Sequence, residues 1–274
     1  MNIAKWMRVP AGIALAACGT TNVAPQPATP ATPPALQAAS VGTTSGAPTK
    51  TVVLVHGAFA DGSSWEKVIP QLQAKGFNVE VVQNPLTSLM ADVEATQRVI
   101  DQQTTPVILV GHSWGGTVIT QAGVNDKVVA LVYVCAFAPD EGQSTNDLTR
   151  AFGPPSWAAG IRADSGGFLS LSRDTVAHDF AQDLPASVTD VMAATQGPIQ
   201  AKALDDKVTK AAWHTKPVTY IVGTNDHMIP AALERTFAKK LNATTVELPT
   251  SHVAMLSRPD DVVAAIVAAA ERAR

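Results

Sequence analysis

The stretch Pro106-Val107-Ile108-Leu109-Val110-Gly111-His112-Ser113-Trp114-Gly115-Gly116 decides how the chain folds. Its first half is an unbroken aliphatic run, the pattern of a strand buried on both faces. It then turns through Gly-x-Ser-x-Gly into 114–123, a segment with helical spacing. Strand, sharp turn and helix are the context in which this motif lifts a serine hydroxyl above a sheet edge, with a helix N-terminus behind it. Side chains at Gly111 and Gly115 would clash with neighbouring chain in so tight a turn. The alternative reading of the same stretch is a strand-to-helix turn without chemistry.

Outward from this unit the same rhythm repeats. Apolar, β-branched runs at 51–55, 78–82, 106–110, 128–134, 217–222 and 244–248 alternate with helical segments at 64–75, 89–103, 114–123, 231–241 and 259–272. Pro259 suits a first helical turn, where its missing N–H costs little. The alternation predicts an α/β fold: a doubly wound, mostly parallel sheet of about six core strands, helices on both faces and right-handed crossovers. Residues 138–216 break the rhythm, with no buried strand and mixed helical segments. An insertion of that length after the strand ending near Val134 reads as a helical lid over the C-terminal strand ends, where ligands bind in such sheets.

Composition narrows the function. The 274 residues are 46% hydrophobic and 16% charged, which suits one sizeable core over 50–274. Twenty basic against 23 acidic residues leave no basic surface for a nucleic-acid backbone. No apolar run reaches the roughly 18–20 residues of a membrane-spanning helix. Two cysteines, Cys18 and Cys135, make neither a disulfide framework nor a zinc site, and no cluster has metal-ligand spacing. The glycine-rich turn lacks the Lys-Ser/Thr ending of a P-loop and the third glycine of a dinucleotide fingerprint.

The first 49 residues read as an address and a tether. Lys5 and Arg8 precede a short apolar stretch ending Leu15-Ala16-Ala17-Cys18. A basic segment followed by an apolar one is export-signal anatomy. The ending is similar to the lipobox of bacterial lipoproteins, which implies lipidation of Cys18 and an exported, cell-envelope protein associated with membrane through its lipid. A cleaved secretory signal, giving a periplasmic or secreted protein, and an uncleaved tail are the alternatives. Residues 19–49, rich in Pro, Ala, Thr and Ser, form a semi-extended linker.

Two further motifs stand at strand ends. In His56-Gly57-Ala58-Phe59, Gly57 lets the backbone turn toward Ser113, so the N–H groups of Ala58 and Trp114 can converge on one oxyanion. His56 reads as a structural loop residue. Asp226 follows the run 217–222, and His252 follows 244–248. A serine hydroxyl needs an adjacent base, and a histidine base needs an acceptor that holds its tautomer. Singly, Asp226 reads as a turn or helix cap and His252 as a loop histidine; together, in the order Ser, Asp, His, they read as a triad. Asp140, after the run 128–134, is the alternative acid. The side chain of His112 should leave the turn away from Ser113, and His178 and His214 have no acid partner in sequence.

The segments Val53-Leu54-Val55-His56-Gly57-Ala58, Gly111-His112-Ser113-Trp114-Gly115-Gly116, Ala136-Phe137-Ala138-Pro139-Asp140 and Ser251-His252-Val253-Ala254-Met255-Leu256 resemble the α/β-hydrolase superfamily over nearly all of 50–274. Within it the chain is similar to the branch of bacterial esterases, plant methyl esterases and hydroxynitrile lyases. The resemblance implies a cofactor-free enzyme with Ser113, Asp226 and His252 as triad and Ala58 and Trp114 as oxyanion hole. The lyases are known for Thr where this chain has Gly57, and for Lys after the catalytic histidine to hold departing cyanide; here that residue is Val253. Ester hydrolysis of a small molecule follows. A cofactor-free perhydrolase or haloperoxidase uses the same triad, and a binding protein can share the scaffold. Phe59 beside the oxyanion loop, and Phe152, Trp157, Phe168, Leu169 and Met192 of the lid, are candidates for an apolar substrate pocket or for the lid's own core.

Overall fold

The computed structural model describes residues 50–150, 153 and 155–273. The readings of residues 1–49, Cys18 included, and of Phe152 lie outside these residues.

In chain order the strands are β1 (Thr51–Val55), β2 (Asn78–Val82), β3 (Val107–His112), β4 (Val128–Val134), three short strands β5 (Ile161–Ala163), β6 (Phe168–Leu171) and β7 (Ile199–Gln200), then β8 (Val218–Gly223) and β9 (Thr244–Leu248). Six of them form one parallel sheet in the order β2-β1-β3-β4-β8-β9. Two cores explain the unbroken apolar runs. Val53, Val55 and Leu109 point into one, and Val52, Leu54, Ile108 and Val110 into the other. Alternate side chains of a strand face opposite ways, so a strand covered on both faces needs apolar residues throughout. Burying each such side chain contributes about 1.5–3 kcal/mol. The edge strands depart from this: β2 and β9 are mostly half-buried or exposed, and β9 carries Thr244, Thr245 and Glu247.

Helices α1 (Ile69–Ala74), α2 (Leu89–Asp101), α3 (Trp114–Ala122), α4 (Thr145–Thr149), α5 (Arg173–Thr175), α6 (Ala186–Thr195), α7 (Ala231–Lys240), α8 (Ala254–Ser257) and α9 (Pro259–Arg272) complete the described chain. Side chains of α2, α3 and α7 fill the first core, and those of α1, α8 and α9 the second. The helix expected over 64–75 is instead a 3-10 turn, Gly62–Trp65, followed by α1. Pro70 explains the break: it lacks an N–H and is accommodated in the first turn of a helix. The start of α9 is as read: Pro259 leads, Asp260 and Asp261 complement the positive end of the dipole, and Arg272 the negative end.

Between β4 and β8 lies the inserted segment. It is largely helical, built from α4, a 3-10 turn (Ser156–Gly160), α5 running into a π-helical turn (Val176–Phe180), and α6. It also holds a three-stranded antiparallel sheet, β5-β6-β7, absent from the sequence reading. Strands of two to four half-exposed residues are too short to show an alternation.

The strand order reverses about β1: β2 lies on one side and β3 on the other. A crevice at such a switch point, beyond the C-terminal strand ends, is where open α/β sheets hold ligands. The registers Val55↔Gly111 and Gly223↔Leu248 bring the loops after β1 and β3 together, and likewise those after β8 and β9.

Candidate active site

Ser113 lies between β3 and α3 with φ 52° and ψ −120°, a strained backbone for a residue with a side chain. The surroundings hold it there. Its N–H donates to Val134 O at 3.3 Å, and its carbonyl accepts from Gly116 N at 2.9 Å and Phe137 N at 3.1 Å. The close approach explains two glycines. A Cβ on Gly115 would stand 2.5 Å from Val55 O, and one on Gly57 would stand 2.7 Å from Ser113 Cβ.

His252, in the loop after β9, is sealed into the wall beside it. Its Nδ1 meets Asp226 Oδ2 at 2.6 Å, with both side chains almost wholly buried. Asp226 also plays the turn-capping part, on its other oxygen: Oδ1 accepts from Met228 N at 2.7 Å and Ile229 N at 3.0 Å. The His252 carbonyl accepts from His112 Nε2 at 3.0 Å, and its ring packs edge-on against Phe180, centroids 5.1 Å apart. Held through Nδ1, the imidazole keeps Nε2 for the cavity onto which both Ser113 and His252 open. The two are not hydrogen-bonded to each other, a contact that in catalytic sites commonly tightens only with substrate in place.

Ala58 and Trp114 line the same cavity. Trp114 is the first residue of α3, where an N–H has no partner within its helix. Among the described residues, neither the Ala58 nor the Trp114 N–H donates to a protein acceptor. The Trp114 indole is pinned from behind: its Nε1 donates to Asp92 Oδ2 at 2.7 Å, while Asp92 Oδ1 accepts from Leu86 N at 2.7 Å. Burial lifts the Asp92 carboxyl to about 6, against the pull of those two hydrogen bonds.

The remaining candidates are placed elsewhere. Asp140 bonds to His214 Nε2 at 2.8 Å, with Lys240 Nζ 3.9 Å away, so it serves a different histidine. His56 is structural: Nε2 accepts from Asn84 N at 3.0 Å and Nδ1 lies 2.8 Å from Gly57 O, while burial lowers its pKa and keeps it neutral. His112 lies behind Ser113 and is held uncharged by burial, then by its neighbour His252. His178 sits in the lid, Nδ1 2.8 Å from Asp174 O.

The cavity measures about 500 Å³. Its walls are mostly apolar: Phe59, Phe137, Trp157, Ile161, Leu169, Phe180, Met228 and Leu233, with Thr145, Asn146, Lys202 and Asp205 on the lid side. Phe59 and Trp157 are therefore on the cavity wall. Phe168 is not; it alternates with Leu169 along β6, and Leu169 has the face toward the cavity. Met192 lines a separate hollow with Val188 and Leu256, because α6 packs beyond the site. Asp92, Phe137 and Phe180 have no assigned part in the sequence reading: an acid in a first helical turn gives no signal, Phe137 stands in a recognisable segment without a role of its own, and Phe180 lies outside any motif.

Among the described residues, one buried group of side chains has metal-ligand chemistry. Cys135 Sγ and one oxygen each of Asp226 and Glu234 lie within 4.8 Å of one another. Burial raises the Cys135 thiol far above its ordinary range, and the two carboxyls add to the effect, so it is a neutral thiol. The Asp226 oxygens already accept three hydrogen bonds, which leaves room for one more donor. These side chains fit an acid pair better than a metal centre.

Compared with known proteins, residues 52–266 match the alpha/beta hydrolase family. The chain is 26% identical over 252 residues to a pyrethroid hydrolase of Sphingobium wenxiniae, covering 78% of this chain and 85% of that one. It is 26% identical over 246 residues to methylesterase 2 of Arabidopsis thaliana, covering 76% and 90%. The solved structure of polyneuridine aldehyde esterase superposes with a TM-score of 0.70 at 19% identity, over 80% of this chain and 98% of that one, a likeness of fold.

Proposed function

The chain belongs to the alpha/beta hydrolase family, and from that premise we propose that it is a serine hydrolase cleaving carboxylic esters of small to medium, largely apolar molecules through an acyl-enzyme intermediate. The observation that carries the reading is the buried 2.6 Å Asp226–His252 pair opening on one cavity with Ser113.

With Nδ1–H given to Asp226, the His252 tautomer leaves Nε2 as a base. His252 takes the Ser113 proton as Oγ attacks the ester carbonyl. The N–H groups of Ala58 and Trp114 receive the oxyanion, each such donor worth about 3 kcal/mol of transition-state stabilisation. His252 then protonates the leaving alkoxide. Water attacks the acyl-serine with the same histidine as base, releasing the acid and restoring Ser113. The cavity accepts apolar acyl or alcohol groups through Phe59, Trp157, Leu169 and Phe180.

Turnover of p-nitrophenyl esters of rising chain length tests the reading. Wild type should show an initial burst and a mass increase equal to one acyl group on Ser113. Ser113→Ala should fold and lose both. Substantial turnover by folded Ser113→Ala would remove Ser113 from its role, and no turnover of any ester by wild type would favour a binding protein on the hydrolase scaffold.

A further inference from the structure

Behind the Asp226–His252 pair lies a second carboxyl that the mechanism above leaves unused. Glu234, on α7, is fully buried. Its Oε2 accepts from Gly223 N at 3.2 Å, and its Oε1, equally buried, has no partner among the described residues if the group is a carboxylate. An ionised carboxylate with a bare oxygen in a dry interior is costly to keep. The neighbours offer no relief. Tyr220 on β8 gives its hydroxyl proton to Ala136 O, Cys135 at the end of β4 is a neutral thiol, and Arg235 on the same helix turns outward to Glu247 at 2.8 Å. An oxygen of Asp226 lies within 4.8 Å of one of Glu234, and its charge has the same sign.

The asymmetry between the two acids decides where the proton sits. Asp226 receives two backbone N–H bonds on Oδ1 and His252 on Oδ2. Glu234 receives one N–H in all. Three donors stabilise the negative charge better than one, so the charge belongs to Asp226.

We propose that Glu234 is a positioning residue: it stays protonated and donates a hydrogen bond from Oε1 to the Asp226 carboxylate, holding that carboxylate charged and aimed at His252. The assignment rests on Asp226 being the acid of the proposed triad. Burial, and then the charge of Asp226, push the Glu234 carboxyl well above the usual range, in the same direction. The role differs from that of Asp226, since Glu234 neither hydrogen-bonds to His252 nor lines the cavity. It supplies a donor where a second negative charge would otherwise face the Asp226 carboxylate in a dry interior.

Two measurements test this. Difference infrared spectroscopy at pH 8, where Asp92 is ionised, should show the carbonyl stretch of a neutral buried carboxyl in wild type and in Ser113→Ala. It should be missing from Glu234→Gln. No such band in wild type, or its persistence in Glu234→Gln, overturns the proposal. In ester hydrolysis, Glu234→Leu removes the donor and should lower kcat about 10–100-fold, the range of one hydrogen bond to a charged group, with KM unchanged. Glu234→Gln keeps a donor for Asp226 and an acceptor for Gly223 N, and should recover most of that loss. A folded Glu234→Gln as slow as Glu234→Leu, or a Glu234→Leu as fast as wild type, also overturns it. If Glu234→Leu does not fold, the infrared band and the kcat of Glu234→Gln decide. Failure of the triad reading would appear separately, as turnover by Ser113→Ala with the infrared result unaffected.

Discussion

Asp92 holds Trp114 by a 2.7 Å hydrogen bond from the indole nitrogen, so the residue after the proposed nucleophile is anchored through its side chain while its backbone N–H stays available. Burial of the Asp92 carboxyl, opposed by its two hydrogen bonds, has a thermodynamic signature. The folded-state pKa, about 6, stands above the ordinary value of 3.8. Between those values the folded protein binds a proton that the unfolded chain has released. The contribution is therefore full below 3.8 and is lost as pH rises through about 6, a difference of about 3 kcal/mol. Asp92→Asn removes the titration. Urea melts at pH 4 to 8 should show this component of the slope in wild type and lack it in the variant.

Asp226 and Asp140 are separated by their histidines. Asp226→Asn replaces the acceptor that holds the His252 tautomer and should lower kcat about 10⁴-fold. Asp140→Asn touches the bonds to His214 and Glu141 N and the Lys240 pair, none of which lines the cavity, and should leave kcat nearly unchanged. Steady-state kinetics on one ester suffice, and the reverse ranking would reassign the acid.

Phe180 joins stability to activity. It is 1% exposed and packs on the His252 ring from the lid's π-helical turn. Phe180→Ala should cost about 3–5 kcal/mol of stability and also lower kcat, by freeing the imidazole. Thermal melts and kcat measured on the same preparation check both effects; full kcat at lowered stability would confine Phe180 to packing.

Leu169 tests the pocket. Leu169→Trp narrows the cavity on the lid side without touching the triad. The kcat/KM for long-chain p-nitrophenyl esters should fall about tenfold or more, while the acetate ester changes little. Phe168→Trp, on the other face of β6, should not alter the chain-length profile.

Patterns confined to neighbouring residues were readable without coordinates. Unbroken aliphatic runs announced strands covered on both faces, Gly-Ser-Gly punctuation marked the turn at Ser113, and Pro259 with Asp260 and Asp261 marked the start of α9. The ordered sequence of Ser113, Asp226 and His252 at three strand ends was likewise visible, because parallel strands bring their C-terminal loops to one edge of the sheet. What stayed hidden depends on which side chains meet across distant segments. Asp92 looks like an ordinary acid in a first helical turn until α2 packs against α3 and puts it under Trp114. Glu234 looks like one more polar residue of an amphipathic helix until α7 closes over β8 and sets it beside Asp226. Phe168 and Leu169 are equally apolar, and only the pleat of β6 turns one toward the cavity and the other away. Hydrophobicity and turn chemistry act within a few residues along the chain, whereas burial of a charge and the choice of its partner arise only when whole elements pack.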